Sequence, residues 1–487
     1  MIENRNVSIT SVEWKRINMR SVAHLIGVEF IHDLYNRHEP KINSIRFRHT
    51  ITIWKVGIVN SYAPVHEWER LGEILSDQYY SLDTLLIDST KALYQRKREY
   101  FHAFMKILRK TKLSGLSNSE LALLLVRFQS VVLGELYVLN FVQVEHGLNI
   151  AIKKVVNELE SNKDKAEKLF ITLIQTQGSS ASQREKQALY KIARKWRWLK
   201  RISLYNEQKA RMNIERHCEK YKYLYSAYGE NPADFNNFWL TFKKYIAHEI
   251  RPPKQTLLKR LLSPESEKLL KKLRSKKLNI LIPLLVKGGL FRDTNKALLG
   301  QSVKYRFEIL DEIARRNFES RDNLNFYLLA EIVDLLYHSK KLNEKEISLR
   351  KTNGVMFTRF EDFKIYTSES LPVLDQRVEK SLRGQCASQG VCVGECKIVL
   401  TKEDGSKIKQ GDIMVAIGTD FDLIEAMYRS AAVITEEGGI LSHASVVCRE
   451  IGKPCCIDVK NATKILKDGQ KIKVNATNGE ILVFDNL

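Results

Sequence analysis

The chain has 487 residues, 44% of them hydrophobic, which is enough for two to four domains with a substantial core. The first residues lack the apolar segment of a signal peptide, and no apolar run reaches the ~18 to 20 residues of a membrane span. We therefore expect a cytoplasmic protein. The net charge of +22 is unevenly divided, because residues 381–487 carry −1 and the preceding 380 residues carry +23.

Residues 1–350 have the pattern of a basic domain made of helices with short connections. Only 12 of the 23 glycines lie in the first 380 residues, which favours long helices. Apolar residues three and four apart predict helices over Thr90–Leu108, Ser119–Val144, Gln183–Ile214, Thr256–Leu273, Val303–Arg315 and Asn323–His338. Ser117 and Glu120 form a capping signal before the second helix. Asn231-Pro232, Pro252-Pro253 and Ser263-Pro264 mark breaks between helices.

Residues 351–382 differ in character from the helical part. Residues 355–360 and 363–367 alternate as short strands do, and Ser-Glu-Ser-Leu-Pro follows them. We expect this segment to be a strand-bearing connector, or hinge, that leads into a second domain.

Residues 383–487 show short strands separated by turns, with two helices between them. Strands are predicted at Gly390–Leu400, Asp412–Ile417, Ala432–Thr435, Pro454–Val459, Lys471–Asn475 and Glu480–Phe484, and helices at Asp422–Ser430 and Ser442–Ile451. Six of the seven cysteines lie after residue 380, and neither they nor the histidines match a zinc spacing. We predict buried reduced thiols and no metal site.

A single histidine, His443, follows the glycine pair Gly438 and Gly439. Glycines that lead into an amphipathic segment place His443 in the first turn of a helix, where free N–H groups and the helix dipole favour a phosphate. An unprotonated imidazole there can accept a phosphoryl group and hold it as phosphohistidine. The alternative is a histidine satisfied within a core, which the nearby glycines, hydroxyls and arginine disfavour.

Five residues around His443 are candidates for phosphate binding. Thr435 and Ser442 offer hydroxyl groups, and Gly438 and Gly439 let the backbone approach closely. Arg449 lies six residues beyond His443, where it reaches either a phosphate or a partner surface, or pairs with Glu450 or Glu425. Glu436 and Glu437 are expected to be solvated.

Several short pieces, in one order, resemble the swivelling phosphohistidine domain, or mobile domain, of phosphoenolpyruvate-utilising enzymes. This family includes pyruvate phosphate dikinase, phosphoenolpyruvate synthase and rifampicin phosphotransferase. The matching pieces are residues 411–415, 419–422, 432–435, 438–443, 452–454, 461–463, 468–470 and 478–480. The resemblance implies a multidomain protein in which a mainly α-helical N-terminal region precedes a C-terminal α/β (β/β/α) swivelling domain, with His443 as the catalytic residue.

One departure from the family bears on regulation. Two positions before the histidine, the dikinases and synthases carry a threonine that is a regulatory phosphorylation target, whereas this chain has Leu441. The motifs therefore resemble most the rifampicin phosphotransferase and phosphoenolpyruvate synthase branch, and dikinase-type regulation is not expected.

The resemblance also implies partners. Full-length relatives carry a nucleotide-grasp domain, and dikinases and synthases add a phosphoenolpyruvate barrel; we expect neither in this chain, which has no Walker A or Gly-x-Gly-x-x-Gly motif. It is expected to be a phosphotransferase subunit with no tightly bound cofactor. ATP and Mg²⁺ would act through a separate ATP-grasp protein, and a small-molecule acceptor would bind the helical region.

The alternative is a regulatory protein that binds nucleic acid or another partner and uses the domain as a switch. Two basic segments are consistent with nucleic-acid binding: Arg184–Arg201, which includes Trp196 and Trp198, and Lys268–Lys277. Solvated basic faces are the favoured interpretation, because lysines are spread over many helices, so neither nucleic acid nor a membrane is expected as a partner. A third hypothesis is that the basic surface docks an acidic subunit or steers phosphorylated substrates.

Overall fold

The structure, a computed structural model, describes most of the chain. The described residues are 14–21, 49–55, 58–95, 98–136, 140–174, 181–225, 233–247, 261–359, 363–367, 382–401, 403–419, 423–440 and 442–484. Six features of the sequence lie wholly or partly outside them: Asn231-Pro232, Pro252-Pro253, residues 256–260 of the predicted helix Thr256–Leu273, the Ser-Glu-Ser-Leu-Pro segment at 368–372, residues 420–422 of the 419–422 turn, and Leu441.

A five-stranded antiparallel sheet belongs to the N-terminal region. Its strands are β1 (Trp14–Ser21), β2 (Thr50–Lys55), β3 (Ile58–Pro64), β4 (Val355–Arg359) and β5 (Phe363–Tyr366), in the order β1-β3-β2-β4-β5. The strands expected in the connector are thus present. They are not an isolated link, however, because β4 pairs with β2 and so completes a sheet that begins at Trp14. The expectation of helices alone over residues 1–350 misses the first three strands of this sheet.

Helices make up the rest of the N-terminal region. In chain order they are α1 (Val65–Tyr80), α2 (Thr84–Gln95), α3 (Glu99–Leu108), α4 (Asn118–Leu136), α5 (Asn140–Leu159), α6 (Lys163–Leu173), α7 (Ala181–Arg201), α8 (Glu207–Tyr221), α9 (Phe235–Ile246), α10 (Pro264–Leu273), α11 (Lys276–Arg316), α12 (Arg321–Leu324), α13 (Leu329–His338) and α14 (Glu344–Asn353). The mainly helical character of this region is confirmed.

Several helix boundaries were predicted wrongly. The helix expected over Thr90–Leu108 is interrupted at Arg98, and the one over Gln183–Ile214 at Ser203, because both residues are left-handed, with φ of 56° and 57°. The spacing of apolar residues predicts which face of a helix is buried. It does not reveal a turn between two successive helices when the same spacing continues across that turn. In contrast, the capping signal is confirmed: the Ser117 amide donates to Glu120 Oε2 at 2.7 Å, and the Glu120 amide donates to Ser117 Oγ at 3.2 Å.

The C-terminal region is built on a seven-stranded mixed sheet, close to the predicted pattern. Its strands are β6 (Gln385–Ser388), β7 (Val391–Val399), β8 (Ile413–Ala416), β9 (Ala432–Thr435), β10 (Cys455–Ile457), β11 (Lys471–Asn475) and β12 (Glu480–Val483), and its helices are α15 (Ile424–Arg429), α16 (His443–Ile451) and α17 (Ala462–Ile465). The order is β12-β11-β7-β8-β9-β10-β6, and strands β7 to β10 run parallel. Among the described residues of this region, β6, the short α17 and a 3₁₀ helix at Glu403–Lys407 were not predicted.

The central strands of this sheet are buried on both faces, as parallel strands usually are. One face, with Ile413, Val415 and Ile434, belongs to a core confined to the C-terminal region. The other face, with Met414 and Val433, joins an apolar core that continues into the N-terminal helices. The two regions are therefore packed together through a shared core in this structure.

Helices α7, α8 and α9 pack around a third apolar core of their own. Its largest members are Trp196, Phe238, Trp239, Phe242 and Tyr245. Within the part of the chain that the structure describes, no helix is both long and apolar enough to cross a membrane.

The seven cysteines are free thiols, and all except Cys392 are buried. Burial raises the pKa of Cys386, Cys396 and Cys456 to about 12, so these thiols stay protonated. This agrees with the prediction of buried reduced thiols.

Candidate functional site

His443 is the first residue of α16, as the glycine pattern predicts. Ser442 is the N-cap, and its hydroxyl accepts a hydrogen bond from the Ser445 amide at 3.4 Å. The Ser445 hydroxyl in turn donates to the Gly439 carbonyl at 2.9 Å. These bonds fix the loop that follows β9 and hold the imidazole at the positive end of the helix.

The His443 ring is held by Thr419 and is kept neutral. Thr419 Oγ1 lies 2.9 Å from His443 Nδ1, and His443 Nε2 is shielded from solvent, although part of the residue remains accessible. Burial of the ring, then the positive charges of Lys186 and Lys296, lower its pKa to about 3. An imidazole in this position is therefore unprotonated at neutral pH, as a nucleophile must be.

The two glycines are needed for different contacts. Gly438 has a φ of 129°, and a Cβ there would lie 2.8 Å from the Ser442 hydroxyl. At Gly439 a Cβ would lie 3.1 Å from Glu145 Oε1, so this glycine lets α5 of the helical region approach the loop. Glycine therefore serves both the local turn and the contact between the two regions.

The other candidate side chains lie at different depths around the site. Thr435 is fully buried, and among the described residues no hydrogen-bond partner is found for its hydroxyl oxygen. Arg449 donates to the Ala387 carbonyl at 3.1 Å, which fastens α16 to β6; its assignment to phosphate stays a prediction that this contact does not support. Glu425 pairs instead with Lys244 of α9, at 2.7 Å.

The expectation that Glu436 is solvated is wrong. Its side chain is buried, and Oε1 accepts a hydrogen bond from the Thr463 amide at 2.7 Å. The carboxylate thus caps the start of α17, a structural role that the sequence did not reveal because α17 itself was not predicted.

The helical region brings to the site charged residues that sequence reasoning missed. Lys186 comes from α7, Lys296 and Arg292 from α11, and Glu145 from α5. Arg292 Nη1 lies 2.7 Å from Glu145 Oε2, while Glu145 Oε1 is buried beside Gly439 with no hydrogen-bond partner among the described residues. No spacing signal marks these residues, since single charges on three separate helices resemble any solvated face.

Asp293, next to Arg292 on α11, ties two of these helices together. Its Oδ2 accepts a hydrogen bond from the Ala181 amide, the first residue of α7, at 2.8 Å. Burial raises the pKa of Asp293, whereas that hydrogen bond and the charge of Arg184 lower it. The bond positions the start of α7, and with it Lys186, near the loop that follows β9.

The histidine at the start of α16, the parallel strand β9 and the glycine loop between them lie in one segment that matches a known family. Residues 408–479 match the family model for the PEP-utilising enzyme, mobile domain. The C-terminal region thus contains a mobile domain of the phosphoenolpyruvate-utilising enzymes.

The relatives that match this chain are much longer enzymes. Phosphoenolpyruvate synthase of Pyrococcus furiosus is 36% identical over 132 residues, which cover 24% of this chain and 16% of the relative. Rifampicin phosphotransferase of Bacillus subtilis is 31% identical over 164 residues, covering 33% of this chain and 19% of the relative. Phosphoenolpyruvate synthase of Aeropyrum pernix is 39% identical over 104 residues, covering 21% and 13%. The chain spans less than a fifth of the length of these curated relatives.

Proposed function

We propose that the chain is a phosphotransferase, or a subunit of one, in which His443 accepts a phosphoryl group and passes it on. The observation that carries the proposal is the position of the His443 imidazole at the start of α16. Burial and the positive charges of Lys186 and Lys296, from the helical region, lower its pKa and favour the neutral form. The family match supports it, because the matched relatives are named phosphoenolpyruvate synthase and rifampicin phosphotransferase.

The contact with Thr419 selects the reactive nitrogen. In the nucleophilic tautomer the proton is on Nδ1, and this N–H donates a hydrogen bond to Thr419 Oγ1, 2.9 Å away. The lone pair is then on Nε2. Phosphorus then bonds to Nε2 as its bond to the donor's leaving group breaks. The amides of the first turn of α16 and the Ser442 hydroxyl would stabilise the new phosphoryl oxygens.

The packing of the two regions corresponds to the second half of the reaction. With the C-terminal region against the helices, Lys186 and Lys296 would balance the charge of the phosphoryl group as an acceptor oxygen attacks phosphorus. The P–N bond breaks, its electron pair returns to Nε2, and the acceptor's proton is released to a nearby base. We assign the role of that base to Glu145, which has a buried carboxylate oxygen beside Gly439.

The first half of the reaction requires the C-terminal region to move. His443 Nε2 is shielded from solvent in the packed arrangement, so a donor held elsewhere can reach it only after the region separates from the helices. We propose that a separate ATP-grasp protein, supplied with ATP and Mg²⁺, is this donor. The acceptor would be a small molecule with a hydroxyl or phosphate group, bound by the helical region.

The test is transfer of label from [γ-³²P]ATP in the presence of an ATP-grasp protein encoded beside this chain. Wild-type protein should take up acid-labile label, and His443→Ala should take up none. His338→Ala is the matched control, because His338 is an exposed histidine at the end of α13 and should leave labelling unchanged. Equal labelling of His443→Ala would contradict the proposal, as would an unlabelled wild-type protein beside a grasp protein that hydrolyses ATP.

A further inference from the structure

Helix α7 carries an unusual excess of positive charge. Among its 21 residues are eight lysines and arginines and one acidic residue, Glu185. Glu185 does not offset this charge at the surface, because it is buried and its Oε1 lies 2.7 Å from His217 Nε2. The surface of α7 therefore presents cations with no carboxylate of its own helix among them.

Five residues form what we term the outer face of α7: Lys191, Arg194, Lys195, Trp198 and Arg201. At 3.6 residues per turn they lie on one side of the helix, opposite the residues that enter the α7–α9 core. All five are exposed, and among the described residues none of the four cations has an ion-pair partner. The face is about 15 Å long, at about 1.5 Å per residue.

The two tryptophans of α7 have different environments. Trp196 is 5% exposed and packs edge-on against Tyr205 within the helical core, whereas Trp198 is 59% exposed among the cations of the outer face. A large aromatic ring that remains in solvent contributes nothing to the α7–α9 core. The ring is therefore accessible for stacking against a ligand.

We propose that the outer face of α7 binds single-stranded nucleic acid. Four cations in about 15 Å match the spacing of a few backbone phosphates, and an exposed indole ring gives a stacking platform for one unpaired base. A duplex hides its base faces and cannot stack on Trp198. An acidic protein would satisfy the cations, but it does not carry an aromatic ring beside each negative charge, as every nucleotide does.

The experiment measures fluorescence anisotropy of a labelled 20-nucleotide oligothymidylate with the full chain, from 50 to 200 mM salt. The wild-type protein should bind, and its affinity should fall as salt rises. Lys191→Gln/Arg194→Gln/Lys195→Gln should weaken binding at least tenfold and reduce the slope of log affinity against log salt by about 2, at about 0.7 per phosphate contact. Trp198→Ala should weaken binding about tenfold at every salt concentration.

A matched variant separates a specific face from net charge. Lys268→Gln/Lys271→Gln/Lys272→Gln removes the same charge from exposed positions on α10 and should leave affinity within about twofold. His443→Ala should bind like the wild type, so the result is independent of the phosphoryl carrier. Circular dichroism checks that each variant is folded.

Four outcomes would overturn the proposal. The wild type could fail to bind at 50 mM salt, or the α10 variant could lose as much affinity as the α7 variant, which would indicate net charge alone. Poly-L-glutamate could also compete as well as the oligonucleotide at equal charge, or Trp198→Ala could bind normally. Either result would indicate a general anion surface, or an acidic protein partner, in place of nucleic acid.

Discussion

The two regions of the molecule contribute to the site in different ways. The C-terminal region supplies a contiguous motif, from Thr435 to Arg449, whose glycines, cap and histidine lie within 15 residues of sequence. The helical region supplies single side chains from α5, α7 and α11, far apart in sequence and joined only by the fold. The nucleophile is thus encoded locally, while the charges that tune it are encoded by packing between regions.

The largest expected effect comes from removing the charges that the helical region contributes. Lys186→Met/Lys296→Met should slow phosphoryl transfer to the acceptor about 100-fold, because preorganised cations are lost where charge develops. Loading of His443 by the donor should change much less, since it occurs away from the helices. Lys191→Met, on the solvent side of α7, is the control. Equal loss in loading and transfer would argue against a role confined to the packed state.

The next effect concerns the ion pair between α5 and α11, which lies within the helical region beside Gly439. Glu145→Ala should lower the free energy of unfolding by about 3 kcal/mol, because the ion pair with Arg292, 2.7 Å away, is lost in a largely buried position. Urea denaturation followed by tryptophan fluorescence measures this. Glu308→Ala, which removes an exposed pair with Lys304 on α11, should cost less than about 1 kcal/mol. Similar costs for the two variants would mean that the Glu145 pair does not stabilise the packing.

A smaller loss of stability should follow from a change confined to the loop between β9 and α16. Gly438→Ala should cost about 2 kcal/mol, because its φ of 129° strains any side chain and a Cβ would crowd the Ser442 hydroxyl. Gly418→Ala is the matched control, since a Cβ there meets nothing within 4 Å. Thermal unfolding measures both. A neutral Gly438→Ala would show that the loop is less constrained than the structure indicates.

The smallest predicted effect is a dependence on pH. The pKa of His443 is lowered to about 3 in the folded chain, against about 6.5 when unfolded, so the unfolded state binds the proton more tightly. The stability that a neutral ring confers is complete above pH 6.5 and is lost as the pH falls towards 3. Because part of the residue stays accessible, we expect a loss of about 1 kcal/mol at pH 5. His443→Gln should lack this component when denaturation is compared at pH 7 and pH 5.

Sequence reasoning succeeded where the signals were local. The strand Ala432–Thr435 was predicted with the correct bounds, and the helix predicted over Ser442–Ile451 begins one residue later, at His443, with Ser442 as its N-cap. Short strands and N-cap serines are coded within a few residues. The Ser117–Glu120 cap was confirmed for the same reason.

Sequence reasoning failed where structure depends on distant partners. The pairing of β2 with β4 joins residues about 300 positions apart, and no local pattern reveals it. Glu436 looked solvated because its partner, Thr463, lies on a helix that was not predicted. Lys186, Lys296 and Glu145 were missed because only packing between regions brings them to His443. A contiguous motif can identify a nucleophile, whereas its environment requires the fold.

The most direct test of the central claim is to locate the phosphoryl group on the loaded protein. Tandem mass spectrometry identifies the residue, and ¹H–³¹P NMR identifies the nitrogen. We predict one phosphohistidine, at His443, with phosphorus on Nε2 because Nδ1 is hydrogen-bonded to Thr419. Phosphorus on Nδ1, or on any other residue, would contradict the account.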